Sequence, residues 1–343
     1  LSIFNFNTMS HFFKKLGLFL MPCILVLLGV VYLDFFKVFF EYDEYYTEDL
    51  FVSLNREYVC LKSLEKKSEI SKPNSFIFGS SRSQAFKCRD WNKYLSDSAI
   101  SFHFDAANEA LVGVVEKLQY LKKNKYEITN VLLIVDEGLL TQTDFNQRNS
   151  SLTISHPEIS SNNSFDFYLP FITASINPKF VASYMDYSMF KSHRKYMGQY
   201  IANTRYPNLV NPVNMDIFYG KEKEIQEDSI SYYNRLNLSG VFYEREIITR
   251  DFSDINNYTK DQLSIIKELF QEFNCSYKVI VSPMYDQIEL DSIYKQMLID
   301  VFQKENVFDY SGKNEWTEPI GNFYETSHYR PFVARRIMSQ VYK

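Results

Sequence analysis

Cysteine is scarce in this chain of 343 residues: Cys23, Cys60, Cys88 and Cys275, with no C-x-x-C among them. Cys23 falls inside a long apolar run. Three cysteines then remain, so at most one pair can form and no disulfide framework can carry the fold. Without C-x-x-C there is no sequence support for a zinc ribbon or a thioredoxin-type site, and neither a metal nor a cofactor is expected. A basic excess is also missing. Lys and Arg number 37 against 42 Asp and Glu, a net charge of -5, which argues against a nucleic-acid partner. Glycine and proline are sparse at ten each, and no internal repeat is found.

What the chain has in quantity is aromatic and apolar material. Phe (30) and Tyr (26) dominate the aromatics, and 45% of residues are hydrophobic, enough for a sizeable core. We read the aromatic excess mainly as core filling, with a carbohydrate-facing surface as the alternative. Leu16 to Leu33, "LGLFLMPCILVLLGVVYL", carries no charge over 18 residues, which as a helix spans about 27 Å. Lys14 and Lys15 precede it, while Asp34, Glu41, Asp43 and Glu44 follow with only Lys37 among them. That asymmetry predicts a single-pass anchor over 16–40, a cytoplasmic N-terminus over 1–15, and an exported remainder. The rivals are a cleaved signal peptide, for which no A-x-A-like site follows the run, and a buried soluble helix.

Residues 41–72 are charged and aromatic and read as a stalk containing some helix. A βα rhythm then starts. Ser75–Phe78 and Ala99–Phe104 read as strands, and Leu111, Val114, Val115, Leu118 and Leu121 mark one face of a helix over Glu109–Lys123. Val131–Val135, "VLLIV", is the continuous apolar run expected of a strand buried on both faces. The rhythm lapses over 141–252, which reads as a mainly helical cap or insertion containing a helix at "PKFVASYMDYSMF". It resumes with a capping box at Thr259 and Gln262 and a stripe of Ile266, Leu269, Phe270 and Phe273. A strand at Tyr277–Pro283, a helix at Ile293–Phe302, a last strand at "NVFDY" and a terminal helix from Pro331 complete the pattern. Residues 73–140 and 253–343 therefore form one α/β domain with a parallel sheet.

Two stretches carry chemistry. "NSFIFGSSRSQAF", Asn74 to Phe86, ends a strand on Gly79-Ser80-Ser81-Arg82, at the sheet edge where open α/β folds place their sites. "NFYETSHYRPFVARRIM" sets Glu325 three residues before His328, in the loop leading into the last helix. A carboxylate there can hold one imidazole nitrogen and leave the other as a base, and a serine near that base would be an activated nucleophile. Either stretch alone reads as an ordinary turn or helix cap.

Together these stretches resemble the first and last sequence blocks of the SGNH/GDSL hydrolase superfamily, a G-D-S-like turn and a D-x-x-H before the C-terminal helix. The resemblance covers 74–137 and 259–343. It implies a flavodoxin-like three-layer αβα fold, with Ser81 as nucleophile, His328 as base and Glu325 as its orienting acid. With the anchor, the chain further resembles the extracytoplasmic SGNH-like proteins that accompany membrane-bound O-acyltransferases in modifying cell-envelope polymers. That implies an esterase or O-acyltransferase on acyl esters of a cell-envelope glycan, with an acylated saccharide as substrate and a membrane-bound acyltransferase as partner. The chain departs from the superfamily in its second and third blocks. Asp105-Ala106-Ala107-Asn108 and Val135-Asp136-Glu137-Gly138 stand where an oxyanion-hole glycine and a G-x-N-D would be. Asn108 and the backbone N–H of Ser81 are the candidate oxyanion donors. A degenerate relative that binds a glycan or a membrane partner is the alternative.

Other polar residues stay open on sequence. Arg82 reads as an anion contact or a sheet-edge salt bridge. Asp136 orients the serine loop or caps a helix. His103 and Asp105 lack a third metal ligand and read as half-buried, hydrogen-bonded groups. Lys191, His193, Arg194 and Lys195 form a solvated face or a contact for anionic glycan or lipid head groups.

Overall fold

The computed structural model describes residues 6–47, 49–142, 149–198, 200–202, 205–245 and 257–343. Among them the strands are, in chain order, β1 (Ser75–Phe78), β2 (Ser101–His103), β3 (Asn130–Val135), β4 (Leu209–Val210), β5 (Ile217–Phe218), β6 (Ser276–Val281), β7 (Val307–Asp309), β8 (Phe323–Glu325) and β9 (His328–Tyr329). The α-helices are α1 (Phe6–Leu33), α2 (Arg56–Ser68), α3 (Cys88–Trp91), α4 (Leu111–Lys123), α5 (Glu137–Thr141), α6 (Ser164–Ser175), α7 (Pro178–Phe190), α8 (Gly220–Leu238), α9 (Asn257–Phe273), α10 (Ser292–Phe302) and α11 (Pro331–Val341).

The protein is a mixed α/β molecule built on a five-stranded sheet of order β2-β1-β3-β6-β7. Every pairing within that sheet is parallel. A run such as "VLLIV" suits this setting because a parallel strand meets helices on both faces. Alternate residues divide accordingly. Phe76, Phe78, Val131, Leu133 and Val135 join one core with Leu61 and Leu64 of α2, Leu118 of α4 and Leu263 of α9. Ile77, Leu132, Ile134 and Ile280 join the other with Trp91 and with Val333 and Ile337 of α11. Each fully buried Val, Leu or Ile contributes about 1.5–3 kcal/mol. The strand order reverses between β1 and β3, so their carboxyl ends flank the crevice in which open sheets hold ligands.

Helix α1 is long and apolar enough over His11–Leu33 to cross a membrane. Its described side chains are largely exposed, and Val30 in the last turn is the buried one. Residues 41–72 do not stand off as a stalk: Tyr58, Val59, Cys60, Leu61 and Leu64 are buried in the main core, with Asn55 capping α2 through the N–H of Tyr58 at 3.0 Å. Asn257 and Tyr258 are already helical in α9, so Thr259 lies inside the helix rather than at its cap. The Thr259 hydroxyl therefore caps nothing and instead donates to the carbonyl of Leu140 at 2.9 Å.

Candidate active site

The serine turn is built by close approach of β1 and β3. Gly79 has φ +147, and a Cβ there would lie 2.6 Å from the Ile134 carbonyl oxygen, so only glycine ends β1 this way. Ser80 then donates its hydroxyl to Asp136 Oδ2 at 2.8 Å. The 3-10 turn Ser81–Ala85 follows. Asp136, just past β3, accepts the Leu139 N–H at 3.0 Å through its other oxygen, capping α5. It also pairs with Arg82 Nη1 at 3.0 Å. Of the two roles open to Asp136 on sequence, it fills both. Of the two open to Arg82, the structure gives the sheet-edge salt bridge, so that guanidinium's charge is directed at Asp136.

Glu325 and His328 sit on the β8–β9 hairpin, where they pair directly across the two strands. His328, expected from its position before Pro331 to lie in a loop, is instead the first residue of β9. Cross-strand partners share a face with Cβ atoms about 4.5–5.5 Å apart, and this sets the carboxylate against the ring. Glu325 Oε1 hydrogen-bonds His328 Nδ1, and Oε2 accepts the Ser327 N–H at 2.8 Å. On the opposite side of the ring, Nε2 lies 2.8 Å from Ser81 Oγ, 247 residues away in sequence. Burial works against the Glu325 charge, but the His328 hydrogen bond and charge, with Lys221 Nζ at 3.5 Å, outweigh it and hold the carboxyl at about 2.

Helix α8, inside the insertion, fixes that hairpin. Tyr232 and Tyr233 donate to the carbonyls of Tyr324 (2.7 Å) and Phe323 (3.0 Å). Arg330 clasps Glu222 through Nε (3.0 Å) and Nη2 (2.6 Å), and Tyr324 donates to the same carboxylate at 2.7 Å. The ring of Tyr219, just before α8, stands 5.7 Å from the His328 ring. None of these α8 residues belongs to a motif, and no local sequence signal marks them.

Beneath the site runs a buried polar chain. Arg56 donates to Asp105 Oδ1 through Nε (2.9 Å) and Nη2 (2.8 Å), and Gln84 donates to Asp105 Oδ2 at 2.6 Å. Tyr219 then donates to Gln84 Oε1 at 2.5 Å, linking this chain to the wall of the site. Burial opposes the Asp105 charge, yet Arg56 prevails and holds its carboxyl at about 2. His103 is fully buried rather than half-buried. Its Nε2 lies 3.0 Å from Ser83 Oγ, and Ser83 in turn donates to the Ser80 carbonyl at 2.7 Å. His103 and Asp105 thus brace the serine turn from below.

Ser81, His328 and Glu325 are therefore brought into one hydrogen-bonded line. Asn108 is not part of it. It is an exposed residue with φ +51 in the loop after β2, and no described hydrogen bond ties it to Ser81 or His328. The Ser81 N–H is likewise outside the described hydrogen bonds. The line can move a proton from Ser81 Oγ to His328 Nε2 while Glu325 retains the proton on Nδ1, which is what an acyl-transfer nucleophile needs. No family model matches the chain, and no curated protein sequence matches it.

Proposed function

We propose that the protein is a membrane-anchored, extracytoplasmic SGNH-like esterase or O-acyltransferase acting on acyl esters of a cell-envelope glycan. The observation that carries this reading is the Ser81–His328–Glu325 line at the carboxyl edge of a parallel sheet. The strand order, in which the first two strands reverse and the rest follow in sequence, supports a flavodoxin-like three-layer αβα fold.

In this reading Ser81 Oγ adds to the ester carbonyl as its proton passes to His328 Nε2. The imidazolium is held by Glu325, and the tetrahedral oxyanion is met by the Ser81 N–H. Collapse breaks the bond to the glycan oxygen, which takes the proton from His328, and leaves an acyl-serine. Water or a sugar hydroxyl then gives up its proton to His328 as it attacks that acyl group. Ser81 is regenerated with release of a free acid in the first case or a new ester in the second. One missing oxyanion donor raises the barrier by about 2.7–4 kcal/mol, so turnover is expected to be slow. The departures from the superfamily's second and third blocks, at 105–108 and 135–138, favour a second reading: the same cleft binding a glycan or a membrane-bound acyltransferase without turnover.

The test is release of acetate from an O-acetylated polysaccharide by the full chain in detergent, with and without an added acceptor oligosaccharide. Free acetate lost in Ser81→Ala and His328→Ala supports an esterase, and acetylated acceptor supports a transferase. Retention of the glycan with neither product would replace this proposal by the binding reading.

A further inference from the structure

The exposed apolar side chains outside α1 are not evenly spread. Phe165 and Leu169 on α6, Ile176 at its end, and Met185, Met189 and Phe190 on α7 form the densest group, each between 44% and 71% exposed. They follow helical spacing on the outer sides of two consecutive helices whose inner sides, through Phe167, Phe171, Phe180 and Tyr187, are buried in the core. Such a face in water would cost solubility without return.

Its place in the fold identifies what covers it. Helix α6 packs against α1, and Val30, buried in the last turn of α1, lies only about 5 Å along the axis from the end of the apolar helix. The chain then turns sharply at Asp34, φ +35, whose carboxylate accepts the N–H groups of Val38 (2.8 Å), Phe39 (3.0 Å) and Phe40 (3.1 Å). That turn drives Phe36 onto Phe171 and Phe180, and Phe39 onto Tyr168, with ring centroids 5.3–5.8 Å apart. The α6–α7 pair is thus clamped at the point where α1 ends. Its exposed apolar residues therefore belong to a helix pair that packs against the end of α1, whose own described side chains are largely exposed.

The charges on this helix pair and in the segment just after it are mostly basic. Lys179, Lys191, Arg194 and Lys195 are exposed. The acids on this pair are Asp166 and Asp186, and Asp186 is held by Arg194 at 2.9 Å. Exposed apolar side chains with a local excess of cations are the pattern of a helix lying in the headgroup zone of an anionic bilayer, at about 5–10 Å depth.

We propose that α6 and α7 are a membrane-interfacial platform. The occupant of their exposed face is the anionic lipid surface that α1 enters, and the platform fixes the tilt of the α/β domain on that surface. The proposal needs α1 to span and does not depend on the chemistry at Ser81.

The experiment places single tryptophans in the full chain, at Leu169→Trp, Met189→Trp and, as control, Ile230→Trp on α8, where the native residue is 73% exposed. Native Trp91 and Trp316 are buried and give a constant background. Variants are reconstituted into vesicles of phosphatidylcholine and phosphatidylglycerol, and flotation with the vesicles shows that α1 has inserted. Emission is then quenched by lipid brominated near the headgroup or by aqueous iodide. The platform requires the added indole of Leu169→Trp and of Met189→Trp to be quenched by the brominated lipid and shielded from iodide, with that of Ile230→Trp behaving in the opposite way. Iodide access equal to that of the Ile230→Trp control would overturn it. So would protection from both quenchers, which would mean that a second copy covers the face.

Discussion

Replacing Glu325 by Gln removes one charge from the line while keeping its size and an acceptor oxygen. The carboxyl is held at about 2 instead of 4.5, which corresponds to about 3 kcal/mol of preferential interaction with its ionised form. Burial pulls the other way, so His328, Lys221 and the Ser327 N–H supply that interaction, and His328, in direct hydrogen bond, supplies the most. In the proposed reaction, an imidazolium formed as Ser81 attacks would draw on the same interaction. Its loss should raise the barrier by about 2–3 kcal/mol, a fall of about 30- to 150-fold in kcat/KM. The assay is hydrolysis of p-nitrophenyl acetate by the full chain in detergent, with Glu325→Asp expected to recover part of the rate. A fall of less than about threefold, with Glu325→Gln still folded, would refute a role for the carboxylate in proton transfer and reduce Glu325 to a hairpin contact.

Three further outcomes follow from the same geometry. Because the Glu325 carboxyl is depressed by folding, its contribution to stability is complete above pH 4.5 and is lost as the pH falls towards 2; thermal melts of Glu325→Gln should therefore change less over that window than those of the parent chain. Gly79→Ala must push a Cβ against the Ile134 carbonyl at an unfavourable φ and should destabilise by about 2–5 kcal/mol in denaturant titrations, whereas Gly240→Ala, with open space around it, should cost far less. Asp105→Asn strands the buried Arg56 charge and should destabilise by about 3–5 kcal/mol in the same titrations, while a joint change of Arg56 to Met and Asp105 to Leu should recover much of the loss.

Much of the scaffold was readable along the chain because its signals are local. Continuous apolar runs marked β1, β3 and β6, 3.6-residue spacing marked α4, and Pro331 marked the start of α11. The turn at Gly79-Ser80-Ser81 and the E-x-x-H were visible for the same reason, as short fixed spacings. What escaped depends on distance. The β8–β9 hairpin has strands too short to show a period, so Glu325 and His328 read as loop residues although pairing across that hairpin is what aligns them. The clasp from α8 and the Arg56–Asp105 pair join residues 49–108 positions apart, which no local pattern encodes. Thr259 shows the opposite failure: a capping spacing was present, but a tertiary partner, the Leu140 carbonyl, claimed the hydroxyl.

Whether Ser81 is a nucleophile activated by His328 can be read from the intact mass of the full chain in detergent after exposure to a fluorophosphonate, with peptide mapping of any adduct. One adduct is expected, located on Ser81 and absent from Ser81→Ala and from His328→Ala. No adduct on the parent chain, or one that persists in Ser81→Ala, would contradict that role.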